Sequence, residues 1–396
     1  MRPLSPSTRR LSLLAALIAV LALTAGIAQA TREDDGPKPP PRPLALAVMD
    51  AAQQAPKLDG VTADVKFTNN LIPPGTLPAG TRTPLTSGAD GRLSLARDGR
   101  FRLDLHSDDG DVQIVGDGRR ATVWDRSADT EYRLTLPSGL SGTVRGASRG
   151  VGGAAGIAAF GRALAPLLDS VTISGARPDT VAGRPAYTVR VAPKDDGGLL
   201  AAGEVSWDAE KGMPLRGAVY AQGKDEPVVE LALTKVDYGR VPDDHLTATP
   251  HRAAKVIDLD DAAQGHRRGA SADAARPSVS GLAAVRRRVS FPVSAPDELA
   301  GLTRSGATLA EDGKRSGAVL TYGKGLGSLV VVQGPSGRRD PLAGLPLPEV
   351  NIDGATGHEL ATALGTIVTF DRDGVSYLVA GLVPPVAAEN AARGLR

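Results

Sequence analysis

Between Arg92 and Leu136 the chain alternates apolar and polar positions in short runs. Leu93 and Leu95 share one side of the first run, and Phe101, Leu103 and Leu105 repeat the alternation after Asp98-Gly99. Val112 and Ile114 follow, then the turn Asp117-Gly118, then Thr122-Val123-Trp124, then Tyr132, Leu134 and Leu136. Period two with Asp-Gly between runs predicts antiparallel hairpins, so the stretch reads as a β-meander. One face of such a sheet is apolar and needs a cover.

The flanking pattern supplies covers and further strands. Leu44 to Gln54 has helical spacing through Leu44, Val48 and Ala51-Ala52, and Pro56 ends it. Val61, Ala63, Val65 and Phe67 alternate as a strand, and Asn69 to Asp90 reads as a loop. After a Gly-rich stretch, Ile157 to Leu168 predicts a second covering helix. Strand patterns then resume at Val171 to Ile173, Ala186 to Ala192, Gly203 to Asp208, Leu215 to Gln222 and Pro227 to Tyr238. A second unit begins near Phe291-Pro292-Val293, with strands at Gly317 to Tyr322, Ser328 to Gln333, Gly365 to Phe370 and Val375 to Gly381, and a helix from Ala387 to Leu395.

The expected organisation is therefore a signal peptide or signal anchor over 1–30, a Pro-rich tether over 31–43, a domain of strands and covering helices over 44–257, a linker over 258–285 and a small α+β domain over 286–396. The fold class is α+β. At the N-terminus, Arg2, Arg9 and Arg10 precede an uncharged run from Leu11 to Ala30 that ends in Ala28-Gln29-Ala30. That is a secretory signal with an A-x-A cleavage pattern. The run is also long enough for an uncleaved anchor, and either reading places Thr31 onward outside the cytoplasm.

The formal charge of +2 gives no reason to expect a nucleic-acid partner. The absence of cysteine excludes disulfides, thiolate metal sites, a cysteine nucleophile and a lipid-anchored N-terminal cysteine. The five histidines (His106, His245, His251, His266 and His358) are scattered, and no H-E-x-x-H or G-x-S-x-G pattern occurs. Gly150-Val151-Gly152-Gly153-Ala154-Ala155 has no strand feeding it and reads as a hinge rather than a nucleotide loop. The acidic groups Asp108-Asp109 with Asp111, and Asp258 with Asp260-Asp261, read as turns rather than calcium ligands. No catalytic residue, cofactor or metal site emerges. Arg267-Arg268 and Arg286-Arg287-Arg288 make the linker region basic, which suits a solvated linker or contact with an anionic membrane surface.

Two stretches carry a resemblance. One is Gly91 to Leu136, with Arg100-Phe101-Arg102, Val115-Gly116-Asp117-Gly118 and Trp124. The other runs from Val181-Ala182-Gly183-Arg184-Pro185-Ala186-Tyr187 through Trp207-Asp208-Ala209-Glu210-Lys211-Gly212-Met213-Pro214-Leu215-Arg216 to Leu231–Tyr238. They resemble the LolA/LolB-like superfamily of extracytoplasmic lipid and lipoprotein carriers, in particular its actinobacterial LolA-like relatives. Two-domain members include RseB, a periplasmic regulator of an anti-sigma factor. The C-terminal unit, with Phe291-Pro292 and Tyr322-Gly323-Lys324-Gly325, resembles a small domain of Gram-positive envelope proteins. The resemblance implies an unclosed antiparallel β-barrel around a helical lid, a hydrophobic cavity, and a lipid or acylated protein as partner. For the RseB-like alternative it implies a membrane-anchored anti-sigma factor.

The alanines of the expected covering helices, Ala51, Ala52, Ala155, Ala158 and Ala159, are too small to fill a curved sheet. An empty apolar cavity costs about 24 cal/mol per Å3, and an acyl chain in it recovers about 0.8 kcal/mol per methylene. The candidate lining residues are Leu95, Phe101, Leu103, Ile114, Trp124, Leu134, Tyr187 and Trp207, each of which also suits an ordinary core. Trp124 and Trp207 suit a rim, because an indole joins an apolar body to a polar N–H.

Overall fold

The computed structural model describes residues 36–73, 75–76, 82–127, 129–135, 171–194, 198–247, 255–258, 279–312, 315–337, 342 and 347–396. The chain divides into two compact units. The first runs to Asn70 and takes in Ala79–Asp195 and Ala201–Asp260; the second gathers Leu71–Pro78, Asp196–Leu200 and Asp261–Arg396.

The first unit opens with helix α1 (Leu44–Gln54) and strand β1 (Gly60–Asn69). A single-turn helix, α2 (Pro84–Ser87), interrupts the expected loop, closed by a capping box between Thr83 and Thr86. The meander follows as β2 (Ala89–Ala96), β3 (Phe101–Ser107), β4 (Gly110–Gly116), β5 (Arg120–Asp125) and β6 (Thr130–Thr135). The returning half is β7 (Val171–Ile173), β8 (Arg177–Val181), β9 (Arg184–Pro193), β10 (Leu200–Asp208), β11 (Pro214–Ala221) and β12 (Val229–Tyr238), with a last strand, β13 (Lys255–Asp258). The expected second covering helix lies outside the described residues.

These thirteen strands make one curled sheet in the order β13-β6-β5-β4-β3-β2-β1-β12-β11-β10-β9-β7, with β8 also on β9. Among the described strands the sheet does not close, and its two halves meet at the antiparallel β1–β12 seam. It is antiparallel except at one edge, where β13 runs parallel to β6. To reach that edge the chain leaves β12, passes through a turn at Asp243–Leu246, and is held by Arg100 Nη2 on Asp243 Oδ1 (2.7 Å) and Arg102 Nη1 on the Thr247 carbonyl (2.9 Å).

The stretch expected to be a free tether is fixed at its C-terminal end. Thr180 Oγ1 donates to the Pro37 carbonyl at 3.1 Å and Tyr187 Oη donates to the Pro40 carbonyl at 2.7 Å. Prolines supply these carbonyls at little entropic cost because their φ is already fixed. Helix α1 then packs against the tip of the β10–β11 hairpin. Gly212 there has φ +69°, and a Cβ on it would lie 2.8 Å from the Ala51 carbonyl carbon, so glycine is needed for both conformation and approach.

The second unit comprises α3 (Leu282–Arg286), β14 (Glu298–Leu299), β15 (Leu302–Asp312), β16 (Arg315–Tyr322), β17 (Leu329–Pro335), β18 (Glu349–Ile352), β19 (Ala355–Thr362), β20 (Gly365–Arg372), β21 (Val375–Gly381) and α4 (Pro385–Gly394). Its sheet has the order β14-β15-β16-β17-β21-β20-β19-β18. One face, including Leu320, Tyr322, Val331, Val368 and Val379, packs on Ala388, Ala391 and Ala392 of α4. The four strands read from the sequence are present; the edge strands β14 and β18, with β15 and β19 inside them, add to these.

Candidate functional site

Strand register sorts the expected lining residues by face. Successive side chains alternate sides, and directly paired residues share a side. Val61 pairs with Leu95 and Ala63 with Leu93; Leu95 pairs with Phe101 and Leu93 with Leu103. Leu103 pairs with Ile114, Ile114 with Val123, and Ala121 with Leu134. Leu95, Phe101, Leu103, Ile114 and Leu134 therefore lie on one face, called inner here, beside the fully buried β1 side chains Val61, Ala63, Val65 and Phe67. All five are only half-buried, as is Leu93. The Phe101 ring lies across Gly116, where a Cβ would come within 2.6 Å of its Cζ.

Trp124 is separated from this group. It pairs with Gln113, which pairs with Asp104, so it sits on the outer face, where it is buried. Its neighbours there are polar: Arg102 Nε donates to Asp104 Oδ2 and Gln113 Nε2 to Asp104 Oδ1, both at 2.7 Å. The physical reason is alternation itself. Val123 faces inward opposite Ile114, so the next residue faces out.

Tyr187 and Trp207 belong with the inner group. Arg216 pairs with Ala232, which pairs with Lys66 on the outer side of β1. Glu204 binds Arg216 at 3.2 Å and so shares that outer side; Trp207, three positions on, faces inward. Tyr187 stands against Trp207 with ring centroids 6.1 Å apart and planes tilted by 43°. Leu44, Ala47, Val48 and Ala51 of α1 pack over the pair, with Val189 and Val205 beside it.

The outer face of this half carries an ionic network that alternation alone did not disclose. Glu204 is fully buried, with Oε2 3.2 Å from Arg216 Nη1 and Oε1 3.5 Å from Arg190 Nη1 and 3.8 Å from Arg177 Nη2. Arg216 also binds Glu230 and donates to Tyr220 Oη at 2.8 Å. Burial pushes the Glu204 carboxyl up to about 7, against the opposing pull of Arg216, Arg190 and Arg177. A second cluster closes the β10–β11 turn: Arg184 and Tyr238 both donate to Asp208 Oδ2, and the Glu210 and Lys211 amides donate to Oδ1 at 2.9 Å. Burial opposes the charged form of Asp208, but these donors prevail and hold its carboxyl below the usual range.

Glu204 gives the fold a pH dependence. Its folded value is raised above 4.5, so the native state binds more protons between there and about 7. The stability it contributes is fully present below the unfolded value and is lost as pH rises through the folded one. Glu204→Gln is expected to flatten this decline; urea midpoints at about pH 5 and about pH 8 for both proteins check it. Equal slopes would remove Glu204 as the cause.

Among the described residues no group of three or more His, Asp or Glu is placed to hold a metal ion. In the Asp108–Asp111 turn, Asp109 pairs with Arg82 at 3.2 Å and Asp111 with His106 at 2.8 Å. No described helix is long and apolar enough to cross a membrane.

No protein-family model matches the sequence, and no curated protein matches it significantly. Solved structures do. A complex of MucA and MucB from Pseudomonas aeruginosa is 17% identical with a TM-score of 0.43, over 88% of this chain and 96% of that one. A LolA superfamily protein from Nitrosomonas europaea is 12% identical with a TM-score of 0.23, over 52% of this chain and 98% of that one. An uncharacterized conserved protein from Thermus thermophilus is 10% identical with a TM-score of 0.33, over 54% of this chain and 98% of that one.

Proposed function

We propose that this chain is a non-enzymatic, extracytoplasmic binding protein whose inner sheet face receives the acyl chain of a lipid or of an acylated protein. One observation carries the reading. Leu93, Leu95, Phe101, Leu103, Ile114 and Leu134 form a contiguous apolar surface that stays half-exposed beside a fully buried seam. A surface of that kind gains from an apolar occupant, by about 25 cal/mol for each Å2 withdrawn from water. The arginine-led uncharged N-terminal run supports the location.

Native mass spectrometry of the purified chain, with lipid extraction, tests it. The expected result is a co-purifying lipid mass and displacement of a fluorescent fatty acid. A bare mass with no fatty-acid binding would refute it.

The second reading is a sensor of RseB type, in which the same face detects a lipid and the protein contacts a membrane-anchored anti-sigma factor. The eight-stranded C-terminal unit favours it, since a simple carrier needs only the first sheet. MucB crystallised with MucA is the kind of assembly this reading expects. A specific membrane-protein partner in cross-linked pull-downs, with altered transcription on deletion, would distinguish sensor from carrier.

A further inference from the structure

Trp207 is 8% exposed, and its Nε1–H has no hydrogen-bond partner among the described residues. Leaving a buried donor unmet costs about 1–3 kcal/mol. The adjoining aromatic does not share the problem, because Tyr187 Oη donates to the Pro40 carbonyl. The polar groups of the neighbouring strand positions are engaged on the outer side, where Thr188 Oγ1 meets Ser206 Oγ at 2.7 Å. Leu44, Ala47, Val48, Ala51, Val205 and Tyr187 belong to the same apolar cluster as Trp207. A water would need two to four polar partners, which those side chains do not provide. An acceptor carried by an otherwise apolar molecule would satisfy this donor.

We propose that the Trp207 indole N–H donates to the carbonyl of an acyl ester or amide whose hydrocarbon chain lies along the inner face. This rests on the binding reading above and gives it chemistry: the ligand has a carbonyl at one end and methylenes beyond it. On the same inner face Leu231 pairs with Phe67, and Leu93 pairs with Ala63 and Leu103.

The test compares methyl laurate, N-methyl lauramide and dodecane on the full chain and on Trp207→Phe, which keeps a ring and removes the donor. The wild type is expected to bind one or both carbonyl compounds roughly 5- to 10-fold more tightly than the alkane, and Trp207→Phe to lose that preference. In 15N-indole spectra the Trp207 Hε1 resonance is expected to move with methyl laurate and stay with dodecane, with Trp124 as internal reference. The spectra of the wild type decide the matter if the variant does not fold. A carbonyl preference retained in Trp207→Phe, or a Trp207 resonance unmoved by bound ester, overturns the anchor and leaves the binding reading standing. A wild type that binds none of the three overturns both. A tighter amide points to N-acylated protein, and a tighter ester to glycerolipid.

Discussion

Replacing Arg216 with alanine is expected to lower the free energy of unfolding by about 3–5 kcal/mol. Arg216 stands between two carboxylates, Glu204 and Glu230, and also binds the Tyr220 hydroxyl, whose ionisation burial pushes up to about 12. Without it Glu204 keeps only the longer contacts to Arg190 and Arg177, at 3.5 and 3.8 Å, and Glu230 loses its guanidinium. A buried charge stripped of its partner costs far more than the pair contributed. Arg216→Lys should recover part of the loss, because an ammonium cannot reproduce the planar fork that reaches three acceptors. Replacing Glu204, Arg216 and Glu230 together with aliphatic residues should cost much less than the single change, since no charge is left behind. Urea unfolding of the three variants measures this. A loss below about 1 kcal/mol for Arg216→Ala would mean that water reaches the network.

The second large effect concerns ligand. Leu103→Glu combined with Ile114→Glu is expected to weaken acyl-chain binding by roughly 50-fold, because two paired carboxylates withdraw about three methylenes from contact at about 0.8 kcal/mol each. Both sites are half-exposed, so the sheet should survive the substitutions. The control is Val115→Glu, next to Ile114 but on the outer face opposite Arg102. It should leave affinity unchanged. Fluorescent fatty-acid titration compares the variants, and equal weakening by all three substitutions would show that the face is irrelevant.

Much of this architecture was readable from local pattern. The Asp-Gly turns and period-two runs locate β2 to β6, and Leu44 to Gln54 matches α1. The turn chemistry there is self-contained. By contrast β8, Arg177-Pro178-Asp179-Thr180-Val181, looks like a loop, and only its two-residue turn to β9, with Ala182 and Gly183 both at positive φ, makes it a hairpin arm. β13 has four residues and exists because β6 offers an edge. The sorting of the candidate residues by face was legible in the same uneven way. Leu95, Phe101, Leu103, Ile114 and Leu134 shared a face by alternation, and Tyr187 and Trp207 joined them once the strands were paired. Trp124 was excluded by its own neighbour, since Val123 and Trp124 cannot face the same way. Glu204 was missed because a lone Glu in Gly203-Glu204-Val205 reads as solvent-facing; its partners lie 12, 14 and 27 residues away.

The seam at the middle of the sheet has a consequence for biosynthesis. β1 is made first, yet its second neighbour comes from the far end of the same unit; Thr234 Oγ1 reaches the Asp64 carbonyl across 170 positions. At translation rates of about 5–20 residues per second, that neighbour arrives roughly 10–30 s later. Until then Val61, Ala63, Val65 and Phe67 line a strand with one open ladder, the geometry that recruits foreign strands and seeds aggregates. Asp64 and Lys66, alternating with those residues, place opposite charges along the waiting edge and act as its gatekeepers.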